Sequence, residues 1–368
     1  MNRTDARTRL ARRLAERIEA EGPITFADFM ETALYDEEAG FYSRPPVGRD
    51  GDFVTSPHVS PAFADLLARQ LAQCWELLGR PEAFDVVELG AGDGTLATSI
   101  LRAIGSVREL AAAARYVCVE RSAGAREALA GAGLVARDEL PETIQGVVLA
   151  NELFDNLPFH RLRKRDGRLV EVFVGVSGGR FVEVEAEPTG EALGALTVEP
   201  DEGQEHVVSP RAHELVRGLA FALRKGYAIF FDYSAKANRP PPVQAFHGHA
   251  VSGDLLEEPG SRDITVAVDM DAIGDVAREQ GLQVWGPVSQ REALLALGYR
   301  IWSSGVRVRQ TQAQERGDAR EANRLFGERS SSTILIDEDK LGGLSVIVMG
   351  TARLEPPAIV LGDRAVGC

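Results

Sequence analysis

The chain has 368 residues, a mass of 39.8 kDa and a formal net charge of −14. Its 44% hydrophobic and 26% charged residues are those of an ordinary globular protein and exclude wholesale disorder or a fibrous repeat. No apolar run is long enough to span a membrane as a helix, and the surplus of 55 carboxylates over 41 basic groups disfavours nucleic acid while attracting a cationic ligand. Three cysteines (Cys74, Cys118, Cys368) without a CxxC pair argue against a disulfide framework or a structural zinc site, so a reducing cytoplasm is the expected compartment.

Residues 1–80 read as a helical N-terminal extension. Arg3, Arg7, Arg9, Arg12, Arg13 and Arg17 would suit an organelle transit peptide. However, Asp5, Glu16 and Glu19 interrupt them, and Leu10, Leu14 and Ile18 recur at the period of an amphipathic helix docked on the domain. A short helix follows Gly22-Pro23. Residues 40–61 form a long loop poor in apolar side chains, and loops of this length in compact domains tend to be functional. Its segment 48–57 can fold over a ligand and exclude water, although its composition fits an ordinary surface loop equally well. Helical periodicity returns over 61–78.

A βαβ series occupies residues 81–354. Strands are expected at 84–90, 116–120 and 147–150 and helices at 94–104 and 122–130, an alternation that implies a parallel sheet covered on both faces. Segments 169–176 and 180–187 alternate apolar and polar residues around Ser177-Gly178-Gly179, a β-hairpin within an insertion at about 159–205. The frame resumes with a helix at 211–223 and a strand at 227–232. A second long loop lies in an insertion at about 235–265. A helix at 269–280, a strand at 282–285, a helical insertion at about 288–342 and a strand at 344–350 complete the frame. Residues 355–368 read as a frayed tail.

The strongest chemical signal is Glu88-Leu89-Gly90-Ala91-Gly92-Asp93-Gly94, where an apolar strand enters a glycine-rich turn that opens a helix. Glycines there permit positive φ and let a ligand lie on bare backbone at the carboxyl edge of the strand. The GxGxxG register of a dinucleotide site is missing, and the carboxylates of Glu88 and Asp93 are hostile to pyrophosphate but suited to a cation. Glu120 ends the next strand, where a carboxylate accepts hydrogen bonds from both hydroxyls of a ribose. Gly90, Gly92, Gly94, Glu88 and Glu120 together describe a site for S-adenosylmethionine, which is cationic and carries no phosphate. A turn without a ligand would leave both acids unexplained.

The third of these strands runs into Asn151-Glu152-Leu153-Phe154-Asp155-Asn156-Leu157-Pro158, which faces the same crevice in a doubly wound sheet. Glu152 and Asp155 are three apart, so one helical turn sets both carboxylates on one side. There they can hold a guanidinium or accept a proton from a nucleophilic nitrogen. Asn156 reads as a turn cap. His58, His247 and His249 sit in the long loops, where a general base for a hydroxyl acceptor would lie, although a loop histidine is more often only solvated. No histidine spacing supports a metal.

Several segments resemble the MidA-like family of class I methyltransferases, relatives of a mitochondrial complex I assembly factor that methylates protein arginine. They are Gly22-Pro23-Ile24-Thr25-Phe26, Leu34-Tyr35-Asp36, Gly51-Asp52-Phe53-Val54-Thr55-Ser56-Pro57, residues 88–95, residues 151–158, Phe231-Asp232-Tyr233, Pro259-Gly260, Asp263-Ile264-Thr265 and Gly286-Pro287. The resemblance implies a Rossmann-like α/β fold with a seven-stranded, mostly parallel sheet, its sixth and seventh strands mutually antiparallel, and a helical substrate cap. It implies that Thr55 and Ser56 approach the cofactor and that Asn151 and Glu152 lie near the transferred methyl, with Asp155 beside them. The chain departs from the family at Glu37, His58, Ser234 and Ala267, usually proline, an acid, glycine and histidine. The expected function is methylation of a protein arginine, using S-adenosylmethionine. One alternative is a small-molecule O- or N-methyltransferase with His58 or His249 as base and Tyr233 at the acceptor. Another is an assembly factor that binds the cofactor without catalysis. No nucleic acid or membrane partner is expected, and a homodimer is admissible.

Overall fold

The computed structural model describes residues 3–43, 55–234, 243–247, 250–252 and 254–362. Helix α1 (Arg3–Glu21) follows its periodicity, burying Leu10, Leu14 and Ile18 on one face. Thr25 caps helix α2 (Phe26–Tyr35), its hydroxyl accepting the Asp28 N–H at 3.0 Å. Both helices pack on Phe159, Val174 and Ile264, so the N-terminal extension shares a core with the insertions that follow. Helices α3 (Ser56–Val59) and α4 (Pro61–Leu77) lead into the sheet.

Seven strands form that sheet: β1 (Phe84–Leu89), β2 (Ala114–Val119), β3 (Val135–Arg137), β4 (Ile144–Asn151), β5 (Leu223–Asp232), β6 (Gln283–Ser289) and β7 (Ser345–Gly350). Their order is β6-β7-β5-β4-β1-β2-β3. Strands β1 to β5 pair in parallel, while β7 runs antiparallel to β5 and β6. The fold is the expected Rossmann-like α/β arrangement. Alternate residues face opposite sides: Val86 and Val147 pack with α4 and helix α5 (Thr95–Ile104), Val87 and Val148 with the helices Pro210–Ala222 and Met270–Glu279. The chain leaves β1 in one direction and returns as β4 on its other side, so a crevice opens between their carboxyl ends.

Some elements differ from expectation. The hairpin is part of a five-stranded antiparallel sheet, with Ile24–Thr25 of the N-terminal extension as one edge. Strand β3, only three residues, and the helix Arg108–Ala113 carry too little periodicity to be read. The second loop contains Gln244–His247, which pairs antiparallel with both Ala250–Ser252 and Asp263–Thr265 as the central strand of a small sheet. The tail docks rather than frays through residue 362: Ile359 is fully buried, and the N–H groups of Ala358 and Ile359 donate to Gln73 and Gln70. Among the described residues no helix is long and apolar enough to cross a membrane, and no group of side chains is arranged to hold a metal ion.

Gly146 and Gly226 pair in register where β4 and β5 approach each other. A Cβ on Gly226 would lie 2.0 Å from the Gly146 carbonyl oxygen. G226A is therefore expected to cost at least about 2 kcal/mol through overpacking against backbone. A denaturant midpoint equal to that of the parent protein would contradict this account.

Candidate active site

Beyond β1 the chain turns through Gly90, Gly92 and Gly94 with φ of 67°, 55° and 76°. The need for glycine is plainest at Gly94, where a Cβ would also sit 2.6 Å from Leu129 Cδ2. At Gly92 a Cβ would meet nothing within 4 Å, so this backbone borders open space. Glu120, just past β2, accepts the N–H of Gly92 at 3.0 Å and of Ser122 at 2.9 Å. The glycine turn and the acid are thus joined directly, and the carboxylate keeps lone pairs for further donors. Glu88 is buried and accepts the Tyr116 hydroxyl at 2.7 Å. Burial pushes its carboxyl up to about 8 despite that bond.

Asp93, expected to await a cation, is engaged within the protein. It accepts the Thr95 N–H at 3.0 Å and pairs with His58 Nε2 at 2.9 Å. Burial works to raise its carboxyl, but these hydrogen bonds outweigh it and hold the group below its ordinary value. His58 Nδ1 meets Thr55 Oγ1 at 2.9 Å, so both ring nitrogens are committed. Ser56 departs from the expected placement. Its hydroxyl is buried and donates to Gln290 at 3.0 Å, and only its backbone N–H reaches the site, at Glu152.

Beyond β4 the backbone is strained. Glu152 has φ of 53°, a left-handed conformation that costs a residue with a side chain roughly 1–2 kcal/mol. Its N–H donates to Phe231 on β5 at 2.8 Å. The buried carboxylate of Asp232 accepts the N–H groups of Leu153 (3.0 Å), Phe154 (2.7 Å) and Tyr233 (2.9 Å). A 3₁₀ turn at Phe154–Asn156 then presents Asp155. The two acids therefore converge through a left-handed residue and a tight turn, not through one α-helical turn. Asn156 does not cap its own turn but donates to Asp263 at 3.0 Å.

Asn151 Nδ2 donates to Glu152 at 2.8 Å, and the Thr265 hydroxyl donates to Asp155 Oδ2 at 3.1 Å. Two oxygens of this turn, Asn151 Oδ1 and Asp155 Oδ1, are buried without a hydrogen-bond partner among the described residues. Burial, reinforced by Asp155, pushes the Glu152 carboxyl up to about 8; burial also raises Asp155.

These groups line one cavity of about 780 Å³, with Tyr233, 43% exposed, among its lining residues. Among the described residues, eight carboxyl-bearing side chains line it against one arginine, Arg121. Arg121 is already used, pairing with both oxygens of Glu31 and lying 4.4 Å above the Tyr35 ring. Such a cavity favours positive ligands. His249 and residues 44–54 of the first loop lie outside the described residues, and of His247 only the backbone strand is described. Tyr35, Tyr42 and Asp263 also line the cavity. Tyr35 and Asp263 belong to the short segments Leu34-Tyr35-Asp36 and Asp263-Ile264-Thr265, whereas nothing in the local sequence marks Tyr42.

The model of a family described as "Putative S-adenosyl-L-methionine-dependent methyltransferase" matches residues 66–288, more than half of the chain. The chain belongs to this methyltransferase family. It is 32% identical to "Protein arginine methyltransferase NDUFAF7, mitochondrial" of Mus musculus, covering 79% of this chain and 74% of that protein. The Drosophila melanogaster homolog is 31% identical, covering 76% and 73%. A crystal structure of a Burkholderia thailandensis protein bound to S-adenosyl-homocysteine superposes with a TM-score of 0.84 at 28% identity, covering 99% of this chain and 97% of that one. The methyltransferase uses S-adenosylmethionine. The expectation of a cytoplasmic protein is overturned by these matches, because the mouse and fly relatives are named as mitochondrial.

The raised carboxyls make stability depend on pH. Glu88 and Glu152 stay protonated in the folded methyltransferase up to about 8, whereas in the unfolded chain they ionise near 4.5. Stability from these groups is therefore lost as pH rises toward 8. His206 and His213, lowered by burial, act oppositely, but only at and below about 6.5. Between pH 6.5 and 8 the denaturant midpoint of the ligand-free methyltransferase is expected to fall, and E88Q to flatten the slope. A midpoint that rises over this interval would contradict the assignment.

Proposed function

We propose that the methyltransferase N-methylates the guanidinium of an arginine side chain in a protein. The observation that carries this reading is the half-buried Glu152 beside the buried Asp155, with Asn151 Oδ1 and Asp155 Oδ1 lacking donors among the described residues. An amide oxygen that can only accept, beside carboxyls that a bound cation would ionise, calls for a ligand rich in N–H and without acceptors, which describes a guanidinium. Mouse and fly relatives named as protein arginine methyltransferases support it.

On this reading the turn Gly90, Gly92 and Gly94, with Glu88 and Thr55 nearby, holds the cofactor, and Glu120 takes its ribose hydroxyls. When bound, S-adenosylmethionine supplies an electrophilic methyl on a positively charged sulfur. Glu152 and Asp155 hold the guanidinium through charge-assisted hydrogen bonds and draw its charge away from one nitrogen. As that nitrogen gained its bond to the methyl carbon, the carbon–sulfur bond would break with its electron pair left on sulfur, and a carboxylate of the pair would accept the proton the nitrogen gives up. Asn151 orients Glu152. Fixing the reacting atoms in a water-poor cavity can contribute roughly 7–11 kcal/mol.

A small-molecule acceptor is the second reading. It is favoured by Ala267, whose short side chain borders the cavity where the resembling family carries histidine. The commitment of both His58 nitrogens counts against that residue as its base.

E152Q is expected to lower kcat by at least about 100-fold, the contribution of a positioned base, with affinity for S-adenosylhomocysteine within about threefold of the parent. The parent kcat/KM should rise with pH and level off above about 8, as Glu152 ionises. Label transfer from methyl-labelled cofactor to a pool of arginine-containing peptides checks both. Undiminished E152Q activity would defeat the assignment.

A further inference from the structure

The strand Asp263–Thr265 walls the cavity beside the turn that carries Asp155. Asp263 and Thr265 are two apart and share one face of the strand. Both reach the acid-bearing turn. Thr265 donates to Asp155, and Asp263 Oδ1 accepts Asn156 Nδ2 at 3.0 Å and the Tyr42 hydroxyl at 3.0 Å. Tyr35 completes the enclosure, its hydroxyl donating to the Asn156 carbonyl at 2.9 Å.

Asp263 is 5% exposed, and its donors Tyr42 and Asn156 are neutral. Its carboxyl is near enough to Asp155 and Glu152 for their charges to act on it. Beside it, Tyr35 and Tyr42 stack with centroids 5.6 Å apart and an interplanar angle of 20°, a flat aromatic wall bordering the same cavity. One side of the cavity thus offers the two carboxyls Glu152 and Asp155, a third carboxyl from the strand and the border of a stacked tyrosine pair.

We infer that Asp263 is a specificity-determining residue, a third carboxyl beside Glu152 and Asp155 that makes this cavity select a planar guanidinium over a compact ammonium. The inference rests on the arginine reading and extends it to a residue outside the loop Asn151–Asn156. A guanidinium spreads its charge over three nitrogens in one plane, so it can meet carboxyls of the turn and of the strand at once. An ammonium is a single hydrated point of charge and gains little from the additional acid.

The rival explanation is that Asp263 merely ties Tyr42 to Asn156. Asparagine separates the two roles, because its side-chain oxygen can accept both of those donors while the charge is gone. The methyltransferase, saturated with S-adenosylhomocysteine, would be titrated calorimetrically with Nα-acetylarginine amide and with Nα-acetyllysine amide. The parent is expected to prefer the arginine probe by at least about tenfold, and D263N by less than about threefold. Affinity for S-adenosylhomocysteine should stay within about twofold, and D263E, which keeps the charge, should recover part of the preference. In label transfer to arginine-containing peptides, D263N should raise KM more than it lowers kcat. Retention of the full preference by D263N would overturn the inference. Loss of S-adenosylhomocysteine affinity in step with acceptor binding would also overturn it, by making Asp263 a structural residue. A parent with no preference for arginine would sink the arginine reading itself, an outcome visible in the parent arm alone.

Discussion

The desolvation of carboxyl groups at the carboxyl ends of the central strands governs this structure. Glu88, Glu152, Asp155, Asp232 and Asp263 are removed from water together, and among the described residues none of them forms a salt bridge with lysine or arginine. Their partners are N–H and O–H groups of Tyr116, Asn151, Thr265, Tyr42, Asn156 and the backbone. Neutral donors reduce the cost of a buried charge without cancelling it, so burial decides the direction in which each carboxyl moves. The outcome is a cavity that gains most from a ligand bringing positive charge. Cofactor and proposed acceptor are both cations, which gives one electrostatic reason for both halves of the cavity.

The backbone serves the same end. Two turns leave the sheet side by side, one made by glycines and one by Glu152 in a conformation glycine would adopt more easily. Strain of this kind persists where surrounding bonds over-determine it, and it concentrates at functional sites. Here those bonds are the Phe231 carbonyl and the Asp232 carboxylate, both on the neighbouring strand β5. The sheet register therefore positions the acid. Glu152 is aimed by main chain rather than by a freely rotating stem.

Contiguous chemistry was legible in the sequence. The segments 88–94 and 151–158 each carry their meaning in adjacent residues at a strand end, and α1, α4 and the parallel strands follow from apolar periodicity. Chemistry assembled by the fold was not. Tyr42 meets Asp263 across 221 residues, Thr265 meets Asp155 across 110 and Tyr35 meets Asn156 across 121. No local spacing encodes such contacts. Ser56 shows the converse: a polar residue in a promising segment, drawn instead to Gln290 across 234 residues. Asp93 likewise had the composition of a ligand-facing acid, but His58 and the start of α5 claim it. Composition was equally silent on compartment, since low cysteine usage records reducing conditions and not an address.

The central claim is that uncompensated carboxyls beside β4 await a cationic nitrogen on a protein. Tracing the transferred methyl tests it most directly. Purified protein, methyl-labelled S-adenosylmethionine and cell extract would be incubated together, and the labelled macromolecules hydrolysed to amino acids. The account predicts label in polypeptide, recovered after hydrolysis as a methylated arginine. Label confined to small molecules, or recovered on lysine or on an oxygen atom, would contradict it.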